Sequence, residues 1–174
     1  KALGLIWSSN PGITYGLANS GAMRRGISRE LSELRPKLRP DLVVATGGTS
    51  GVTYEIVASL AMKASIKKLM LVGRTAPCAP HESALYGLDL AGQKVLAKER
   101  IETNGHRATP IEVKRWIERE ERRVQIHERI EKLRRTGAEV EFVNCDVSNP
   151  AELTVMIQAL RDAQQPVDLL IHGA

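Results

Sequence analysis

Leu42-Val43-Val44-Ala45-Thr46-Gly47-Gly48-Thr49-Ser50-Gly51-Val52 is the stretch on which the fold turns. Leu42 to Ala45 is a short continuous apolar run, the pattern of a strand buried on both faces. The glycine-rich run Thr46 to Val52 follows, and Tyr54 to Lys63 reads as a helix. A strand, a glycine turn and a helix start, in that order, make a phosphate cradle. Glycines let the backbone turn tightly and come close to a pyrophosphate. The helix N-terminus then aims unpaired N–H groups and a positive dipole end at it. This order places the chain among nucleotide-binding α/β proteins.

Working outward, Lys68 to Val72 is a second apolar strand with Gly73-Arg74-Thr75 at its end. Strand, helix, strand at this spacing is a βαβ unit, for which a right-handed crossover is expected. Glu139 to Val143 reads as a third strand and leads to Asn144-Cys145-Asp146-Val147. Pro150 to Ala163 reads as a helix capped by Asn149 or Ser148, and a last strand, Val167 to Ile171, runs into His172-Gly173-Ala174. The expected fold is α/β: a Rossmann-like, doubly wound parallel sheet with helices on both faces.

The connection between Thr75 and Thr136 is too long for a simple crossover. Residues 76–92 read as an irregular loop and 93–103 as a short helix. Thr109-Pro110-Ile111-Glu112 is a strong helix start: a threonine N-cap, a proline in the first turn and a glutamate that completes a capping box. Val113, Ile117, Val124, Ile130 and Leu133 give that helix one apolar face, and Gly137 stops it. Its Glu/Arg-rich opposite face supports itself through i,i+4 pairs. A surface helix covering the sheet edge is expected, with docking of another domain as the rival role. Ahead of the cradle, Leu3 to Trp7 reads as a strand, Ser8 to Gly12 as a turn and Tyr15 to Leu34 as a helix ended by Pro36 and Pro40. The division is therefore residues 1–40, then 41–174 with a helical insertion at about 76–135.

Composition fits this scheme. The chain has 174 residues, enough for a sizeable core, and at 43% hydrophobic it is globular in character. Aromatics are only 3%, so the core is aliphatic, as a parallel sheet requires. Cys78 and Cys145 have no metal-ligand spacing and read as reduced thiols of a cytoplasmic protein. No apolar run approaches the roughly 20 residues of a membrane span, and no secretory signal pattern opens the chain. The net charge of +5 lies mostly in mixed Glu/Arg/Lys runs, which read as solvated helix surface. Base-stacking aromatics are scarce, so no nucleic-acid or membrane partner is expected.

Four features form a candidate cofactor site. The first is the turn Gly47, Gly48, Thr49, Ser50, Gly51 and Val52. The second is Arg74: where a ribose 2′-hydroxyl reader would be acidic, an arginine suits the 2′-phosphate of NADPH through bidentate, charge-assisted contacts. The third is Asp146-Val147, where an acceptor can meet an adenine amino group. The fourth is Gly173, where a small residue lets the cofactor pass close to the backbone.

These motifs, with Gly73-Arg74 and His172-Gly173-Ala174, resemble the short-chain dehydrogenase/reductase family over residues 42–174. The closer resemblance is to ketoreductase domains of polyketide and polyunsaturated-fatty-acid synthases. Gly51-Val52-Thr53 and the Ala108-Thr109-Pro110 helix start are similar to the fatty-acid and enediyne-type synthases. The family's third glycine falls at Thr53, a departure expected to loosen helix–strand packing while sparing phosphate binding.

Residues 1–40 carry a second resemblance. Lys1 to Ser9 is similar to the strand that delivers the family's catalytic serine, and Tyr15-Gly16-Leu17-Ala18-Asn19 to its Tyr-x-x-x-Asn pattern. The matching residues are Ser9, Tyr15 and Asn19. The resemblance implies that the tyrosine protonates a developing alkoxide, the serine steadies the carbonyl oxygen and the asparagine orders the site. In the family this segment follows the His-Gly-Ala strand; here it precedes the glycine turn, with a shorter Ser-to-Tyr spacing and no match to the catalytic lysine. Three arrangements account for this: segments of a larger protein joined without the residues between them, a permuted order, or the end of one reductase followed by the start of another.

The resemblance implies NADPH-dependent reduction of a β-ketoacyl group on an acyl carrier protein, with neighbouring synthase domains as partners. The rivals are a non-catalytic Rossmann-like lobe supporting a partner reductase, and an NADP-binding regulator. His81, His106, His127 and His172 have no partners at metal spacing, and neither a nucleophile elbow nor a P-loop occurs.

Overall fold

The computed structural model describes residues 40–64, 66–102 and 107–173, together with the backbone of 5–8 and 14–16. Strands β1 (Leu5–Ser8), β2 (Thr14–Gly16) and β3 (Leu42–Thr46) come first. Then come α1 (Gly51–Lys63), β4 (Lys68–Gly73), a 3₁₀ turn (Pro80–Glu82), α2 (Leu90–Ile101) and α3 (Pro110–Arg134). β5 (Glu139–Asn144), α4 (Pro150–Asp162) and β6 (Leu169–His172) complete the order. Contacts divide the chain into two compact units, residues 75–129 and the remainder.

The larger unit is built on a six-stranded sheet in the order β2-β1-β6-β3-β4-β5. β6, β3, β4 and β5 are parallel, with Val44 level with Met70 and Leu170, and Leu71 level with Phe142. The order reverses at β3: the first crossover goes to β4 on one side and the last returns to β6 on the other. That is the doubly wound pattern expected from the βαβ spacing. β1 adds antiparallel to β6, with Ser8 opposite Leu169, and β2 pairs antiparallel with β1.

All five residues of β3 are buried, which explains the uninterrupted apolar run from Leu42 to Ala45. Leu42, Val44, Met70 and Val72 lie in one cluster with Cys145, against Met156 and Leu160 of α4. The alternate residues Val43, Ala45, Leu69 and Leu71 are wholly buried and point the other way. Val57, Leu60 and Ala61 of α1 and Ile130 and Leu133 at the end of α3 are buried as well.

Several boundaries shift from the sequence reading for physical reasons. α1 begins at Gly51 rather than near Tyr54, because its first turn carries no buried side chain to set a period. β6 begins at Leu169 rather than Val167. The Asp168 carboxylate instead accepts the N–H groups of Asp41 and Leu42 at 2.8 and 2.9 Å, tying the strand entrance to β3. Tyr15 and Gly16 are strand, not helix, as partners of Ile6 and Leu5. The rest of the expected helix, from Leu17 to Leu34, lies outside the described residues.

In the smaller unit, α2 starts at Leu90, earlier than expected, because Asp89 caps it through Gly92 N–H at 2.8 Å. Leu85, Ala97, Val113 and Ile117 form its core, with Trp116 and Ile101 packed on them. The capping box at the start of α3 forms as expected: Glu112 N–H donates to Thr109 Oγ1 at 3.3 Å and Thr109 N–H donates to Glu112 Oε2 at 2.8 Å. Among the described residues no helix is long and apolar enough to cross a membrane.

Candidate functional site

The glycine turn leaves β3 where the strand order reverses, the position at which open α/β sheets hold ligands. Gly47 N–H donates to Val72 O at 2.9 Å, so the turn starts still paired to β4, and Ser50 N–H closes on Gly47 O at 3.4 Å. Gly47 and Gly51 adopt φ of 65° and 57°, the left-handed region that favours glycine. Gly48 is needed for another reason: a Cβ there would sit 2.9 Å from that of Ala45 and 3.0 Å from Leu71 Cδ2. Thr46 and Thr49 are buried, while Ser50, Gly51 and Val52 are exposed.

Ser50 is the N-cap of α1, extended at φ −150°, but its side chain makes no capping bond and no acidic residue occupies the first turn. The first N–H groups of α1 therefore receive no cap from the Ser50 side chain, and no carboxylate of the first turn compensates the positive end of the helix dipole. Thr53 lies in this first turn with its side chain directly against Gly173, past the end of β6. The residue at the family's third-glycine position, Thr53, thus faces a glycine, Gly173.

Arg74 projects into solvent after β4. Its backbone is held from β5. With its amide nitrogen turned toward them, Asn144 donates to the carbonyls of Gly73 at 3.1 Å and Arg74 at 3.0 Å, and Cys145 N–H adds a bond to Gly73 O at 3.1 Å. Asp146 follows on the same side of the sheet. Its Oδ1 accepts both the Ser148 hydroxyl at 2.7 Å and the Ser148 N–H at 3.0 Å. Those two bonds hold its carboxyl below the ordinary aspartate range; burial opposes them, and the charge of Arg74 lowers it further. Cys145, buried between them, has its thiol pushed up by burial first and then by the charges of Glu152 and Asp146. Val147 is half-buried and packs on the core below. Asn149, not Ser148, caps α4, accepting Ala151 N–H at 3.1 Å.

At β6, the Thr46 hydroxyl and His172 Nδ1 are 2.7 Å apart, and Gly173 N–H donates to Thr46 O at 3.0 Å. The structure thus brings the turn 47–52, Arg74, Asp146, Val147 and Gly173 to the C-terminal edge of one parallel sheet. Tyr15 lies apart in β2, opposite Ile6, whose other partner is Ile171; two strands, β1 and β6, stand between β2 and β3. Ser9 and Asn19 lie outside the described residues. Among the described residues no three His, Cys, Asp or Glu gather as a metal site.

Sequence reasoning missed Asn144 and the Thr46–His172 bond. Asn144 becomes visible only once β5 is set beside β4, when it falls level with Gly73. The Thr46–His172 pair becomes visible only when β6 is set beside β3.

The family model of the KR domain matches residues 42–174. No curated protein matches the chain. Among solved structures, the chain is similar to a ketoreductase from the first module of phoslactomycin biosynthesis in Streptomyces sp. HK803. Identity is 21% over 75% of this chain and 20% of that one, with a TM-score of 0.44. It is also similar to an N-terminal ketoreductase from the macrolactin assembly line, at 18% identity over 75% of this chain and 17% of that one, with a TM-score of 0.43. The chain spans about a fifth of the length of these structures. With the family match covering well over half of its residues, the chain belongs to the KR domain family, the ketoreductase domains of the short-chain dehydrogenases/reductases.

Proposed function

We propose that residues 42–174 bind NADPH at the C-terminal edge of the parallel sheet, as the cofactor-binding part of a β-ketoacyl reductase. Its substrate would be carried on an acyl carrier protein within a polyketide or fatty-acid synthase, in the cytoplasm. The observation that carries the reading is the placement of Arg74. It stands exposed after β4, beside a glycine turn whose N-cap Ser50 makes no side-chain capping bond, and near enough to Asp146 to help hold its carboxyl below the ordinary aspartate range. The donor set fits a phosphorylated dinucleotide. The first-turn N–H groups of α1 would hold the pyrophosphate, with Gly47, Gly48, Thr49, Ser50, Gly51 and Val52 shaping the turn. Arg74 would pair with the 2′-phosphate, and the Asn144 clasp on its carbonyl fixes where it leaves the sheet. Asp146 would accept an adenine amino group through Oδ2, since Oδ1 is taken by Ser148, beside Val147.

When bound, NADPH supplies the hydride. By family resemblance the Tyr15 hydroxyl would donate the proton to the carbonyl oxygen, Ser9 would hold that oxygen and Asn19 would order the tyrosine. The test is a fluorescence titration of NADPH and NADH against the wild-type chain and Arg74→Ala. Loss of one bidentate phosphate contact should weaken NADPH by about tenfold or more and leave NADH nearly unchanged. Equal effects on both would remove Arg74 from the phosphate, and no saturable NADPH binding by the wild type would refute the reading.

A second reading applies to residues 1–40 alone: a structural lobe rather than a catalytic segment. It is favoured by β1 and β2 extending the sheet as an antiparallel ribbon, with Tyr15 on its outermost strand. Replacing Tyr15 by Phe decides between them. Lost turnover of a β-ketoacyl thioester with unchanged NADPH affinity supports catalysis, and unchanged turnover supports the lobe.

A further inference from the structure

Thr53 and Gly173 meet where the first turn of α1 crosses the end of β6. A Cβ on Gly173 would lie 2.7 Å from Thr53 Cγ2, 2.8 Å from Thr53 Cβ, and closer still to Thr53 Oγ1. Rotating the threonine removes the clash with Oγ1 or Cγ2 but never that with its own Cβ, which moves only with the helix backbone. Gly173 cannot retreat either, because its N–H is bonded to Thr46 O at 3.0 Å and the preceding His172 is level with Thr46 on β3. By contrast, a Cβ on Gly51, two residues before Thr53, would meet nothing within 4 Å. The space between helix and strand therefore holds one side chain, and Thr53 occupies it.

We propose that Thr53 and Gly173 are a compensating pair: the close-packing glycine that the dinucleotide fingerprint places on the helix stands here just past the end of the strand. The glycine at 173 then serves Thr53 and not the passage of a cofactor past the backbone. The pair seats the N-terminus of α1 over β6 and so sets the spacing of the cradle; this last step alone rests on the NADPH reading. Gly173 is thereby a positioning residue, acting on the cradle through the helix.

The experiment is a mutant cycle on the full chain, with thermal unfolding and NADPH titration for wild type, Gly173→Ala, Thr53→Gly and the double variant T53G/G173A. Gly173→Ala alone should lower Tm by roughly 5 °C, the scale of one overpacked core site. It should weaken NADPH by about tenfold through displacement of the helix. In the Thr53→Gly background the same substitution should change Tm by less than about 2 °C and affinity by less than about threefold. Thr53→Ala keeps the Cβ that stands 2.8 Å away, so T53A/G173A should show no rescue. Additive Tm losses would overturn the pairing. An equal loss of NADPH affinity in both backgrounds would overturn the positioning role and return Gly173 to direct cofactor contact. If Gly173→Ala does not fold, recovery of a folded chain in T53G/G173A supports the pair and its failure overturns it. If no variant binds NADPH, including wild type, the cofactor reading falls while the Tm cycle still decides the pair.

Discussion

Ser148 donates twice to one oxygen of Asp146, from its hydroxyl and from its backbone, and these bonds outweigh the charge of Arg74 in lowering the carboxyl. An anion solvated by two local donors keeps its charge whether or not its cationic neighbour is engaged elsewhere. Ser148→Ala removes the larger cause and should move the Asp146 carboxyl up toward the ordinary value of about 3.9. Arg74→Ala should move it less. Carbon-13 NMR titration of the carboxyl reads both, and a larger shift from the arginine variant would contradict the ordering. The stability sign follows from the same bonds. A lowered carboxyl contributes above its unfolded value and loses that contribution as pH falls through its folded value, so Ser148→Ala should flatten the acid side of the unfolding profile. At this scale the sequence shows which residue types stand at the strand ends. It does not show Asn144 clasping the Gly73 and Arg74 carbonyls, or Thr53 fitted to Gly173, because each needs two segments brought side by side.

Among the elements, α3 was the most legible and also held the largest surprise. Its start is written locally in Thr109-Pro110-Ile111-Glu112, and the capping box forms with Glu112 Oε2 accepting the Thr109 hydroxyl and N–H, each at 2.8 Å. Thr109→Ala should cost about 1 kcal/mol in urea unfolding, and Thr109→Ser should restore most of it. A neutral alanine variant would mean that the tertiary contacts of Val113 and Ile117 hold the first turns without the cap. The buried face departs from the periodic reading. Ile126 is buried and Val124 only partly so, while Glu120 is just 4% exposed, held by Arg123 Nη1 at 2.8 Å. Arg123 also reaches Ala76 O at 3.4 Å, and its own carbonyl accepts Cys78 N–H at 3.1 Å, so this ion pair fastens the segment after β4 to the helix. A glutamate among so many on one helix reads as solvated; only the returning segment, invisible to a 3.6-residue period, gives it a reason to be inside.

For the larger unit, the four parallel strands and the doubly wound class are legible in the apolar runs and the βαβ spacing, whereas the strand order is seen only in the folded sheet. β1 is legible as the apolar run Leu3 to Trp7, but its antiparallel pairing and β2 are not, since three paired residues such as Thr14–Gly16 carry no periodic signal and depend on distant partners. The sheet separates its tasks by edge. The C-terminal edge carries the proposed cofactor site, while polar contacts at the N-terminal edge tie the strands together: Asp168 to Asp41 and Leu42, and Lys68 to Glu141 at 2.8 Å. Glu141 raises the Lys68 ammonium above its ordinary range through its hydrogen bond, against burial, with the charges of Glu141 and Glu139 assisting. A raised lysine contributes stability fully below its unfolded value, about 10.4, and loses it as pH rises through the higher folded value. Glu141→Gln should therefore destabilise by about 1 kcal/mol or less near pH 7, since Glu141 is 45% exposed. The difference from wild type should shrink above about pH 10.4, where the unfolded lysine loses its proton. NADPH affinity should stay unchanged, because this pair lies at the far end of β4 from Arg74. Urea unfolding from pH 7 to 11 alongside the titration measures both. A difference that persists undiminished through the alkaline range would show that Glu141 stabilises the sheet other than through the Lys68 charge, and a loss of NADPH affinity would show that the two edges are coupled through β4.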